Sequence, residues 1–148
     1  MAAPAYTWKF VYDLWGDRIP KEAVLEASAD LETKVGTLLF MTGGQLDTVT
    51  DGTGTMIGLA AEATSEAATA ADPIKVQLIA PGMVIRGTAD ADASGLTGFT
   101  SRLQDIDADQ RLDVGDVTGG FLSVYRVNDT DGLEVDCVVT NFDMSQAV

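Results

Sequence analysis

The 148 residues carry 23 acidic and 9 basic side chains, no histidine and a formal charge of −14, with 46% of residues hydrophobic. A chain of this length makes one domain with a core of its own, without disulfides or metals as staples. The charge disfavours a phosphate backbone or an anionic membrane surface as partner. The lack of histidine removes Ser/His/Asp and Cys/His catalytic sets together with imidazole metal ligands.

The opening "MAAPAYTWKF" has no basic segment leading into an apolar one, and no stretch approaches the roughly 20 apolar residues of a membrane span. The expectation is a soluble protein made in a cytoplasm. Residues 6–15, "YTWKFVYDLW", place Tyr6, Trp8, Phe10, Tyr12 and Leu14 on one face and Thr7, Lys9, Val11, Asp13 and Trp15 on the other. That period of two and the aromatic content predict a strand. After "GDRIP", the opening of "KEAVLEASADLETKVG" fits a short helix or a strand, and a strand around 23–27 is the favoured reading.

Two apolar runs, "TLLFM" and "QLDTVT", flank Thr42, Gly43 and Gly44, the chemistry of a tight hairpin. The turn "DGTG" at 51–54 then leads into "TMIGLAAEA". Residues 60–71, "AAEATSEAATAA", favour a helix by alanine content but lack a large apolar anchor, so a short helix and a surface loop both stand. "DPIKVQLIAPGMVIRGTAD" reads as strand, Pro-Gly turn and strand, a further hairpin. A small polar loop follows at 88–98. The last hairpin is "FLSVYRV", "NDTDG" and "LEVDCVVTNF", with Cys137 in phase with Leu133, Val135 and Val139 as a buried, unreactive thiol. The predicted fold is mainly β: a small β-barrel or sandwich of hairpins with at most one or two short helices. Residues 1–20 form an N-terminal strand or arm and 21–148 a single barrel-like domain.

The segment "DIDADQRLDVGD" puts Asp105, Asp107, Asp109, Asp113 and Asp116 at positions 1, 3, 5, 9 and 12 of a twelve-residue window, the spacing of EF-hand-type calcium loops. It resembles dockerin modules in its aspartate at position 12 and an aliphatic residue, Leu112, at position 8. It departs from them at position 6, where Gln110 replaces the turn glycine, in the "TGG" that cuts short any exiting helix, and in lacking a second copy. A solvated acidic connection that attracts cations weakly is therefore the expected role, with a calcium-dependent interaction or adhesion module as the alternative. No metal or other cofactor is assigned.

The arrangement "ADLETKVGTLLFMTGGQLDTVTDGTGTMIGLAAEA", then "IKVQLIAPGMVIRG" and "GGFLSVYRVNDTDGLEVDCVVTNF", resembles the capsid decoration (head cement) proteins of tailed bacteriophages. The likeness spans about residues 23–140 and rests on short glycine steps: Val35-Gly36 opening a strand, Gly43-Gly44 at a hairpin, and Ile57-Gly58 beginning the next strand. It implies a small β-barrel or β-tulip fold, homotrimers, and a place on the outer surface of the virion head. It also implies non-enzymatic stabilisation of an expanded shell, by bridging capsomers through the major capsid protein. Such proteins often lay an N-terminal arm on the capsid. Tyr6, Trp8, Phe10, Tyr12 and Trp15 are the candidate contacts, through strand addition with side chains in pockets; the same segment serves equally as a strand of the protein's own barrel. Another phage part, tail tube or head completion, would keep the fold and change the location.

Overall fold

A computed structural model describes residues 3–65 and 72–141. Its strands are β1 (Lys9–Asp13), β2 (Lys21–Glu26), β3 (Leu38–Thr42), β4 (Gln45–Thr48), β5 (Gly58–Ala60), β6 (Pro73–Leu78), β7 (Met83–Thr88), β8 (Leu122–Val127) and β9 (Glu134–Val139), with one 3-10 turn at Ser94–Leu96. The protein is mainly β, as its sequence predicts. In the segment from 60 to 71, Ala60 ends β5 and Thr64 bridges to Thr33; the expectation for 66–71 lies outside the described residues.

The strands make two antiparallel sheets, β1-β7-β9-β8 and β2-β6-β5-β3-β4, in place of one closed barrel. Runs that are apolar without alternation explain the division, because they bury both faces. Leu38 and Leu39 are both fully buried, yet Leu38 joins the larger core with Trp8, Ile85, Phe121 and Cys137, while Leu39 joins a smaller one with Leu46, Ile57, Ala60 and Val76. Met56 and Ile57, and Leu59 and Ala60, split the same way. The five-stranded sheet curls around the smaller core. A single parallel bridge, Ala27 to Leu46, brings the end of β2 back to β4, and closure goes no further.

Two local expectations hold. Gly43 and Gly44 join β3 to β4 with φ of 58° and 81°, the left-handed pair that a two-residue hairpin needs. β8 and β9 pair as the final hairpin. The Pro-Gly turn does not make a hairpin: β6 pairs with β2 and β5, and β7 with β1 and β9. Ile74 and Val76 belong to the smaller core, and Ile79, Met83 and Ile85 to the larger, so the turn carries the chain from one sheet to the other.

The N-terminal segment is a strand of the domain. β1 pairs with β7 at the edge of the four-stranded sheet, and Trp8 is 2% exposed, its ring against Gly87, where a Cβ would collide with it. The aromatic face is not continuous, however. A bulge between Phe10 and Tyr12 sets Phe10 opposite Ile85 and Tyr12 opposite Val84, which turns Phe10 towards the core and Tyr12 outwards.

Candidate functional site

The five aromatic residues proposed as partner contacts fall in different environments. Trp8 is sealed in the core and donates from Nε1 to the Gln110 carbonyl at 2.8 Å, so it is a fold anchor and presents no contact surface. Phe10 packs half-buried against the larger core. Tyr12 is half-buried on the outer face: its hydroxyl donates to Asp136 Oδ2 at 3.2 Å, and its ring meets Tyr125 edge-on. Burial pushes the Tyr12 hydroxyl above its ordinary pKa, and the Asp136 charge adds to that. Tyr6, at the margin of exposure, lies under the Arg111 guanidinium. Trp15 is 70% exposed, with Gly82 against its ring and Arg18 at 5.4 Å from the ring centre.

The acidic window folds as a narrow loop bonded to itself, from Asp105 N to Asp116 O at 3.0 Å and from Asp113 N to Asp105 O at 2.9 Å. Gln110 adopts φ of 64°, the left-handed turn that position 6 demands, despite its side chain. That side chain runs into the fold: Oε1 accepts from Leu38 N at 2.8 Å, and Nε2 donates to the carbonyls of Leu38 and Val49.

The five carboxylates therefore diverge, and the dockerin-like ring does not form. Asp107 pairs with Arg111 at 2.8 Å while its Oδ1 accepts from the backbone of Asp109 and Arg111. Asp109 points to solvent, and Asp113 Oδ1 accepts from Gly115 N. Burial pushes the Asp113 carboxyl up, and Asp90 adds to that. Asp105 and Asp116 do come together, joined by Asp51 from the "DGTG" turn, with one oxygen of each within 4.8 Å of the others. The sequence marked Asp51 as a turn residue only, since nothing in chain order links position 51 to 105. Buried Asp105 accepts from Ile106 N and Gly52 N. Desolvation nonetheless pushes its carboxyl above the ordinary value, against those two bonds, and the charges of Asp116 and Asp51 push the same way. Convergent carboxylates of this kind favour a shared proton or a divalent cation.

Two further features have no motif in the sequence. On the outer face of the four-stranded sheet Asp136 is fully buried, between Arg86 at 2.7 Å and Arg126 at 3.1 Å, and also accepts from Asn128 and Tyr12. Burial raises the Asp136 carboxyl, but the bonds from Arg86, Asn128 and Arg126 outweigh it and hold the group below its usual value. Alternation in "EVDCVV" places Asp136 opposite the core-facing Val135 and Cys137; only the sheet order shows that two arginines flank it.

The second is an apolar groove of about 490 Å³ across one end of that sheet. It runs from Leu14 and Trp15 after β1, past Pro81 and Gly82 before β7 and Val138 to Thr140 at the end of β9, to Ser123, with Phe99 and Arg102 as its far wall. Cys137, by contrast, is buried, and desolvation holds its thiol far above the ordinary pKa, as expected of an inert core residue. No family model matches the chain, and no curated protein matches it in sequence.

Proposed function

We propose that the protein is a non-enzymatic structural component of a phage virion. It binds the outer surface of an expanded capsid as a homotrimer and stabilises the shell by bridging copies of the major capsid protein. The resemblance of the glycine-stepped β-segments to capsid decoration proteins suggests this class. The observation that supports it most is the placement of β1, an edge strand paired on one side only among the described residues, with the exposed Trp15 two residues beyond its end. Such an edge offers main-chain hydrogen bonds to a strand of a neighbouring protein, and an aromatic side chain beside it supplies the anchor.

The opposite edge of the same sheet is closed. Along β8, Phe99 N donates to Val124 O at 2.9 Å and Gln104 N to Leu122 O at 3.0 Å, so the segment around 98–104 covers it. The contact surface in this account is therefore the β1 edge with Trp15 and its surroundings, without Trp8. A calcium-dependent module is less well supported, because only Asp105 and Asp116 of the window's five aspartates come together.

The test is addition of purified protein to expanded, undecorated heads of the phage that encodes it, followed by heating. Protected heads, with the protein co-sedimenting, are the expected result. Heads that melt unchanged and retain none of it at saturating concentration would refute the proposal.

A further inference from the structure

We infer that the groove beside Trp15 is a binding site for an extended peptide segment that carries bulky apolar side chains and a carboxylate. Its lining is largely apolar, with Leu14, Val138 and Phe99 among it, and its volume of about 490 Å³ is that of ligand clefts. It lies open across the ends of four strands, a shape suited to a chain laid along it.

Charge supplies the second part of the ligand's chemistry. Among the described residues four of the five arginines, Arg18, Arg86, Arg111 and Arg126, have a carboxylate within 4.0 Å. The fifth, Arg102, has none among the described residues of this acidic chain, and it lines the groove. A guanidinium beside apolar walls takes a carboxylate through paired hydrogen bonds, and its planar fork fixes the orientation of the bound group.

The walls are held before any ligand arrives. Phe99 N is bonded to Val124 O and the Phe99 ring stacks on Tyr125 at 5.5 Å; the hydroxyls of Ser123 and Thr140 donate to the carbonyls of Ser101 and Arg102. Across the groove, Gly82 lies against the Trp15 ring, where an added Cβ would sit 2.6 Å from it, and Arg18 donates to Pro81 O at 2.7 Å. A site whose aromatic groups are already in place loses little of their side-chain freedom on binding. Where the capsid reading holds, this names the chemistry of the partner segment; the experiment below uses free peptides, so its failure and the failure of that reading are separate results.

The test is titration of the whole protein with the blocked hexapeptide acetyl-Gly-Phe-Asp-Phe-Asp-Gly-amide, followed by tryptophan fluorescence, Trp15 being the exposed reporter and Trp8 the buried one. Saturable binding is expected, weakened about tenfold or more when the peptide's aspartates become lysines or its phenylalanines become serines. Arg102→Glu abolishes binding of the acidic peptide and restores binding of the lysine peptide, and Arg102→Gln weakens the acidic one alone; both variants melt as the parent does, since Arg102 is exposed. Equal binding of the acidic and lysine peptides, or no saturation by about 1 mM, would overturn the inference. So would sedimentation showing that the protein self-associates through the groove and that Arg102→Glu separates the copies, which would give the site to a second copy of this chain.

Discussion

Gln110 decides what the acidic window is. A calcium loop places glycine there for a left-handed turn; here glutamine takes that turn at a conformational cost of about 1 kcal/mol, and its amide bonds to Leu38 and Val49 in return. Gln110→Gly removes the strain but leaves the buried Leu38 N–H without its acceptor and takes a donor from the carbonyls of Leu38 and Val49, of which Leu38 O keeps only Val49 N, and the loss of those bonds outweighs the gain. Denaturant melts should show the variant destabilised by about 2 kcal/mol; an unchanged or stabilised variant would mean that the backbone turn, and not the side chain, governs this loop. Asp136 is the second decisive residue. Because its carboxyl sits below its ordinary pKa when folded, its contribution to stability is present above the unfolded value near pH 3.9 and is lost as pH falls through the folded value. Asp136→Asn is expected to cost about 2 kcal/mol at neutral pH and to flatten the acid limb of the stability curve. Arg126→Ala, at a half-exposed partner, should cost under about 1 kcal/mol.

At the scale of elements, the hairpins whose turn chemistry is local were legible and the pairings between distant segments were not. Gly43-Gly44 and the β8–β9 loop announce themselves in a few residues. The Pro-Gly turn at 81–82 has equally good turn chemistry but joins two sheets, because strand partnership depends on which core Ile74, Val76, Met83 and Ile85 enter. The β1 segment was legible as a strand, while the bulge that separates Phe10 from Tyr12 carries no composition signal. The candidate sites divide in the same way. Asp105 and Asp116 were singled out by spacing, but Asp51 reaches them only through the tertiary fold, and Arg102 enters the groove only because the segment around it lies along β8. The Asp51–Asp105–Asp116 meeting gives a prediction at this scale. Asp116→Asn keeps an oxygen to accept from Thr118 N and removes one of three converging charges. It should raise stability at pH 7 by a few tenths of a kcal/mol, on the order of an exposed ion-pair effect, with a smaller gain at high salt. A loss of stability would show that the Asp116 charge has a favourable partner.

Across the whole molecule the excess of 14 negative charges opposes the compact state by self-repulsion. Since salt shortens the range of that repulsion, the melting temperature should climb as NaCl is raised from about 20 mM to about 500 mM. A falling melting temperature would show that attractive pairs such as Arg86–Asp136 dominate the electrostatics. The same charge keeps free copies apart, so docking on a partner protein needs a local site that overcomes it, and the β1 edge with the Trp15 groove and Arg102, which has no carboxylate partner among the described residues, offers one. The central claim, that the protein decorates a capsid, is tested most directly by counting its copies per major capsid protein on expanded heads saturated with purified protein. The account predicts a fixed proportion of the capsid-protein copies, repeated over the shell. No retained protein, or a few copies confined to one vertex or to the tail, would contradict it.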